Sequence, residues 1–374
     1  MSDSSSPCPA VVVTGAAGDL GQRLRSQLSG FRLFGVDMRE APEPWPGGFE
    51  IVDLGLESSC RRLQELLRDV RPIAVVHLAF VVDQVRSGIL DLDRMWRINV
   101  AGTARVMEAA AVVNSQSRGG PVVRKFIFPS SVSAYGPNLA GEVKENCPLG
   151  AHSLPYAIHK READLVVQQR AEMLGDCATY ILRPHIFTGP TVQNYILGAV
   201  RGTPTAASKR ARKWRERGKR LPIVLPRGKR YLKNRIQFVH IDDIARLIAH
   251  LIGRTQADPQ LTILNVAGHG ASLTTEQCAQ IAETDILQVP TRMLCRLLLR
   301  TAWSWGITAF PPEAFPYLTG SQVMDTSRLR EFLGNEYGSV IRFSNKDALS
   351  SSFATADKEA DARQGCCGTV ASSP

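Results

Sequence analysis

Val11-Val12-Val13-Thr14-Gly15-Ala16-Ala17-Gly18-Asp19-Leu20-Gly21 runs from a three-valine strand through a Gly-x-x-Gly-x-x-Gly turn into a segment apolar at Leu20, Leu24 and Leu28. A strand that passes through such a turn into an amphipathic helix is the geometry of a dinucleotide cradle. Gly15 can take the tight turn, Gly18 lets backbone approach a pyrophosphate, and Gly21 lets the helix lie close to the strand it came from. Exposed N–H groups at the helix start would face the phosphates. About 20 residues on, a second apolar strand from Phe31 to Val36 ends at Asp37, where a carboxylate accepts from adenosine ribose hydroxyls.

Outward from this point the pattern of a doubly wound α/β sheet continues. Ile51-Val52 reads as a short third strand ending at Asp53, and Ile73–Leu78 as a fourth strand apolar on both faces. A helix is expected from about Arg94 to Ala111, then a fifth strand, Val122–Phe128, ending at Pro129-Ser130-Ser131. Ligands of such sheets sit beyond the carboxyl ends of the strands, so the chemistry belongs just after residues 14, 37, 53, 78 and 128.

Ser131, Tyr156 and Lys160 are the candidates that follow. Tyr156 and Lys160 are four apart in Pro155-Tyr156-Ala157-Ile158-His159-Lys160, so on a helix they share a face. A phenol with a reference pKa of about 10 is a poor base at neutral pH. A neighbouring ammonium favours the phenolate, and a strand-end serine can hold the oxygen whose proton is moved.

With these residues in order, the chain resembles an extended short-chain dehydrogenase/reductase of the NAD-dependent epimerase/dehydratase type. The resemblance runs through Thr14-Gly15-x-x-Gly18-x-x-Gly21, Asp37, Asp53-Leu54, His77-Leu78-Ala79, Asn99-Val100-x-Gly102-Thr103 and Ser130-Ser131-x-x-x-Tyr135-Gly136. It continues through Tyr156-x-x-x-Lys160, Leu182-Arg183-Pro184 to Gly189-Pro190, Phe238-Val239-His240-Ile241-Asp242-Asp243 and Asp325-Thr326-Ser327-Arg328-Leu329, covering roughly residues 10 to 340.

The resemblance implies a Rossmann-type doubly wound parallel sheet with a smaller C-terminal α/β substrate-binding lobe, and NAD as cofactor. Ser131 would position the substrate, Tyr156 would be the acid/base, and Lys160 would anchor the nicotinamide ribose. Asp53 would meet the adenine, and Asn99 would support the helix geometry around the site. Cofactor contacts are implied for Gly15, Gly18, Asp19, Leu20, Gly21, Asp37, Asp53, Leu54, Leu78, Ala79, Asn99, Tyr156, Lys160 and Pro184. Substrate contacts are implied for Ser131, Ser133, His185 and Arg235.

Departures from the family pattern narrow the reaction. The 4,6-dehydratases carry Asp-Glu directly after the catalytic hydroxyl, where this chain has Val132-Ser133, so dehydration is disfavoured. Nucleotide-sugar epimerases usually place an Asn and an Arg toward the diphosphate, where this chain has Ile186 and Ile236, with Arg235 adjacent. The expected reaction is NAD-dependent oxidation or epimerisation at a secondary alcohol carbon of a sugar nucleotide or related anionic sugar. A hydroxysteroid-type or other alcohol dehydrogenase is the alternative, and an NAD-binding regulator that holds a partner is the non-enzyme one.

Domain boundaries are expected as a flexible N-terminus over 1–9, a mainly NAD-binding domain over 10–184, a mainly substrate-binding lobe over 185–345, and a Ser/Ala/Gly-rich tail over 350–374. Some strands and helices of the lobe would return to the first domain. No apolar run reaches the ~18 residues that span a membrane, residues 1–9 lack a basic and apolar signal, and a cytoplasmic protein is expected. The eight cysteines form no C-x-x-C pair, so reduced thiols and no metal site are expected, with Cys366-Cys367 an inert tail pair.

Residues 201–235 hold 14 Lys or Arg and one acid, Glu216, against +10 for the whole chain, so the remainder is net acidic. Three readings stand for this segment: a solvated helix, a clamp for an anionic substrate, or a surface for acidic lipid or nucleic acid with Trp214 as anchor. The clamp is preferred over the partner surfaces because the segment falls between two active-site motifs. Further on, Met293 to Trp305 reads as a helix lining the substrate cleft, though it is apolar and basic enough to lie on a membrane. A small-molecule substrate is the expected partner, and a homodimer is left open.

Overall fold

The computed structural model describes residues 8–82 and 91–353. The expected flexible residues 1–7, the end of the tail and Cys366-Cys367 lie outside the described residues. The chain divides into two compact units: residues 1–185, 242–267 and 324–341, and residues 186–241, 268–323 and 342–374.

The first unit is a seven-stranded parallel sheet. Its strands are β1 (Ala10–Thr14), β2 (Arg32–Asp37), β3 (Gly48–Ile51), β4 (Ala74–His77), β5 (Lys125–Pro129), β6 (Ala178–Pro184) and β7 (Leu261–Val266), in the order β7-β6-β5-β4-β1-β2-β3. β1 and β4 are buried at every position, which is why their sequences are unbroken apolar runs rather than alternating ones. The strand order reverses between β1 and β4, and this opens a crevice at their carboxyl ends.

Helices α1 (Asp19–Gln27), α2 (Ser58–Val70), α3 (Gly102–Ser115), α4 (Pro155–Arg170) and α5 (Ile241–Gly253) belong to this unit. Leu63, Leu66, Leu67 and Val70 of α2 are buried with Val106, Met107 and Ala110 of α3 in one core cluster. The sequence pattern misplaces several ends. The third strand stops at Ile51, before Val52 and Asp53, and the fifth starts at Lys125 rather than Val122. The single helix expected from Arg94 is three pieces: Leu92–Trp96, a π turn at Arg97–Ala101, and α3.

β6 brings a charge into this core. Arg183 is 1 % exposed and donates twice to the Asp164 carboxylate of α4, at 2.9 Å each, with Asp164 fully buried. Its Nη1 also donates to the Tyr135 hydroxyl and the Glu145 carbonyl, both at 2.8 Å. Tyr135 donates in turn to Asn265 Oδ1 at 2.8 Å, and the Asn265 N–H donates to Glu145 Oε1 at 2.9 Å. The charged pair is thus bidentate and supplied with neutral partners, as a buried ion pair requires.

The second unit is built from two-stranded pairs. Ile186–Thr188 runs parallel to Phe238–His240, Ile223–Pro226 parallel to Ile286–Val289, and Arg235–Ile236 antiparallel to Leu273–Thr274. Its core gathers Leu197, Phe238, Leu273, Cys278 and Leu349. The Thr275–Ile281 helix starts with a capping box between Thr274 and Gln277. Residues 350–353, expected to belong to the tail, are part of the fold: a helix runs over Asn345–Ser351, Ser352 Oγ accepts from the Gly189 N–H at 3.0 Å, and Phe353 packs on this core.

Removing one partner of the buried pair leaves the other charge uncompensated. Asp164→Ala is therefore expected to lower unfolding free energy by about 3–5 kcal/mol, read from urea denaturation of the full chain.

Candidate active site

The glycine turn is fixed by crowding. Gly15 has φ +71°, and a Cβ there would stand 2.5 Å from the Ala79 N and 2.6 Å from the Leu78 carbonyl carbon. Only glycine lets the end of β1 pass this close to the chain leaving β4. A Cβ on Gly21 would meet the Ala16 carbonyl oxygen at 2.6 Å, so the third glycine fits the helix against its own turn. Gly18 is the least crowded, with Gly15 O at 3.2 Å. Asp19 opens α1, with Leu20 buried beneath it.

A buried polar chain ties the strand ends together. Thr103 donates to the Asn99 carbonyl at 2.6 Å, so it accepts from His77 Nε2 at 2.9 Å, and His77 Nδ1 accepts from Thr14 at 2.7 Å. Thr14 Oγ1 accepts from the Ala79 N–H at 3.3 Å. Burial, with a contribution from the Lys160 charge, pushes His77 down to about 3, which keeps it neutral in this chain. Asn99 sits in the π turn and closes both its ends on Val81, accepting from the N–H at 2.6 Å and donating to the carbonyl at 3.0 Å.

Asp37, at the end of β2, accepts from the Ala17 N–H at 3.0 Å and the Arg39 N–H at 3.1 Å. Its carboxylate therefore lies against the glycine turn. Asp53 accepts from the Gly55 N–H at 2.8 Å and faces Arg94 at 3.3 Å, with Leu54 buried beside it.

Ser131 caps a short 3-10 turn, Val132–Tyr135, directly after β5. Its Oγ accepts from the Ser133 N–H at 3.1 Å and from the Ser133 hydroxyl at 2.9 Å. With both lone pairs filled, the Ser131 proton is left to donate, and the Ser131 hydroxyl favours the ionised form of the Tyr156 phenol. Ser133, expected to meet substrate, is thus also the residue that orients Ser131. Tyr156 begins α4 with its ring edge-on to Phe80 at 5.9 Å. Burial pushes its hydroxyl up, and the neighbouring Ser131 hydroxyl pulls it partly back.

Lys160 lies one turn further and is buried. Its ammonium donates to the Pro129 carbonyl at 2.7 Å and sits over the rings of Phe80 at 3.7 Å and Phe128 at 5.0 Å. Burial lowers it to about 7, while Asp164 acts in the opposite direction. The lysine expected to draw the tyrosine down is thus itself held near neutrality by its surroundings. Asp164, four residues after Lys160, escaped the sequence reading; the repeat of the same spacing on one helix was the available signal.

Pro184 ends β6, paired with Val266, and buried His185 follows it with its N–H on the Val266 carbonyl at 2.9 Å. Arg235 belongs to the second unit, exposed on its two-residue strand. Ile186 and Ile236 both pack on that unit's apolar core. In the basic segment two arginines are spent on backbone. Arg215 donates to the Pro204 and Ala206 carbonyls, at 2.5 and 2.9 Å. Arg220 donates to Arg201 O at 2.9 Å, Ala282 O at 2.5 Å and Thr284 Oγ1 at 2.9 Å.

The model of the NAD dependent epimerase/dehydratase family matches residues 11–267, a span that holds the glycine turn, Ser131, Tyr156 and Lys160. The chain belongs to that family. An uncharacterized epimerase/dehydratase of Staphylococcus saprophyticus is 26% identical over 177 residues, 44% of this chain and 49% of that protein. The chain thus spans about half the length of the curated relative it matches. Among solved structures, Bordetella bronchiseptica WbmG in complex with NAD superposes with a TM-score of 0.64 at 15% identity, covering 96% of each chain. Thermus thermophilus UDP-glucose 4-epimerase in complex with NAD gives 0.61 at 17% identity, covering 92% of this chain and 97% of that one. Both share the fold.

Two outcomes follow from this geometry. Ser133→Ala removes one donor to Ser131 and is expected to lower kcat about tenfold, the worth of one neutral hydrogen bond, while KM stays within twofold; a change confined to KM would place Ser133 on substrate alone. Lys160→Met is expected to be inactive yet more heat-stable. Because the folded-state pKa of Lys160 lies below its ordinary value, charging it opposes folding increasingly as pH falls from 10.5 to about 7. The gain in Tm of the methionine variant should therefore widen over that window and level off below it, as read by thermal melts across pH.

Proposed function

We propose that this protein is an NAD-dependent oxidoreductase of the epimerase type, acting at a secondary alcohol carbon of a sugar nucleotide or a related anionic sugar. The observation that carries the reading is Ser133 turned back on Ser131 at 2.9 Å, which leaves the Ser131 proton to donate, with Tyr156 and a buried Lys160 one turn apart on α4. The crowding at Gly15 and the Asp37 carboxylate against the glycine turn fit a dinucleotide, whose phosphates need close backbone and whose ribose needs an acceptor. Gly15, Gly18 and the start of α1 would hold the pyrophosphate, Asp37 the adenosine ribose, and Lys160 the nicotinamide ribose. NAD, when bound, supplies the acceptor for the hydride of the alcohol carbon.

The chain's own groups handle the proton. Ser131 would donate its one proton to the substrate oxygen, and Tyr156 would take the hydroxyl proton as general base and return it as general acid. Lys160, when protonated, would favour the phenolate against the desolvation that raises Tyr156. Val132 is buried and apolar and Ser133 is occupied by Ser131, so the two positions after the catalytic hydroxyl offer no carboxyl pair for eliminating water. WbmG has been seen with UDP as well as NAD, and the Thermus protein acts on UDP-glucose, which supports a sugar nucleotide. A hydroxysteroid-type substrate is the second reading. It is favoured by Ile186 and Ile236, which join an apolar core where polar groups for a diphosphate are usual.

Tyr156→Phe is expected to lower turnover at least ~100-fold on the substrate found by screening UDP-glucose, other sugar nucleotides and hydroxysteroids, with NAD affinity within a few-fold. Retention of most of the activity would refute the mechanism. The Asp37 carboxylate is also expected to make NAD bind more tightly than NADP, since a 2′-phosphate would meet its charge; titration of both into the full chain checks this, and equal binding would remove Asp37 from the ribose site.

A further inference from the structure

We propose that the helix Arg292–Ser304 of the second unit docks on the surface of an anionic phospholipid bilayer. This helix buries a single narrow stripe: Cys295, with Leu299 partly covered, packs on Val289 and Phe315. The rest of its apolar surface faces outward. Met293 is 81% exposed and Leu297 56%, one turn apart on the side opposite Cys295, and Trp305 just past the helix end is 57% exposed. Leu294 and Leu298 extend this surface along one flank, while Arg292, Arg296 and Arg300, spaced four apart, form a ridge along the other. The guanidinium groups of Arg292 and Arg296 lie over the Phe315 ring at 5.9 and 5.8 Å, which steadies the ridge.

Charge selects the occupant. Residues 286–312 contain three arginines and no acid. The basic helix Lys209–Glu216 starts where this one ends, since its capping Ser208 hydroxyl donates to the Gly306 carbonyl. A second copy would bring the same positive charge against itself. A nucleic acid would leave the leucine flank without a partner. A bilayer of anionic lipid meets both halves at once, with acyl chains under Met293, Leu297 and Trp305 and headgroups at the arginine ridge. Attachment would be peripheral, because no helix among the described residues is long and apolar enough to cross a membrane.

Each cation near such a surface strengthens binding about fivefold, so three should give a preference of roughly a hundredfold for anionic over neutral vesicles. The test is co-sedimentation of the full chain with phosphatidylcholine vesicles with and without phosphatidylglycerol, across salt concentration. Binding is expected only with phosphatidylglycerol, weakening steeply as salt rises. M293E/L297E is expected to bind at least tenfold more weakly with an unchanged Tm, because both side chains point into solvent. Vesicles should shift tryptophan emission to the blue in the wild type and not in W303F/W305F. Absence of wild-type binding to the anionic vesicles would overturn the proposal, as would undiminished binding of M293E/L297E. A wild-type dimer that M293E/L297E splits, seen by light scattering, would overturn it too, by assigning this face to a second copy.

Discussion

The Arg183–Asp164 pair is the constraint on which the rest depends. An arginine placed on a central strand and a carboxylate on α4 are each costly to bury alone, and together they fix the helix against the sheet at a single axial position. That position sets where Tyr156 and Lys160 stand relative to Ser131 at the end of β5. The same arginine holds Tyr135, the last residue of the turn that Ser131 caps, so the nucleus of the site is braced from both sides. Asp164 also supports the charge of Lys160 against desolvation. The fold and the proposed proton chemistry share one carboxylate.

A second device works at the switch between β1 and β4. The Thr14–His77–Thr103 chain uses a neutral imidazole as a rigid spacer, and it brings the Ala79 N–H onto Thr14 where Gly15 leaves no room for a side chain. The π turn at Asn99 continues this by fastening the helix start to Val81. Asn99 Nδ2 also lies 3.4 Å from His159 Nδ1, so buried polar groups run from the proposed cofactor cradle to the helix that carries Tyr156 and Lys160. Such networks confer rigidity because every member is satisfied.

Much of this was legible in the sequence. The valine run, the glycine turn and the strand-end positions of Asp37 and Ser131 are local signals, set by burial on both faces and by backbone room. The pairing of Tyr156 with Lys160 follows from helical spacing alone. What was not legible depends on partners distant in the chain. Nothing local shows that Ser133 would turn back on Ser131, that Asp164 would meet Arg183, or that Arg215 and Arg220 would be consumed by carbonyls of neighbouring loops. The π turn broke a helix that reads as continuous, because Asn99 gains two bonds to Val81 by leaving the α-helical register. Composition also misread residues 350–353, where Ser352 is held by Gly189 and Phe353 by the second unit's core.

Lys160 is buried one helical turn from Tyr156, and NMR titration of isotope-labelled lysine side chains in the full chain reads that burial. The resonance that disappears in Lys160→Met is expected to titrate near 7, well below the ordinary lysine value. A titration for that resonance at about 10.4, the ordinary lysine value, would contradict it, because an ammonium desolvated in the site does not keep the value it has in water.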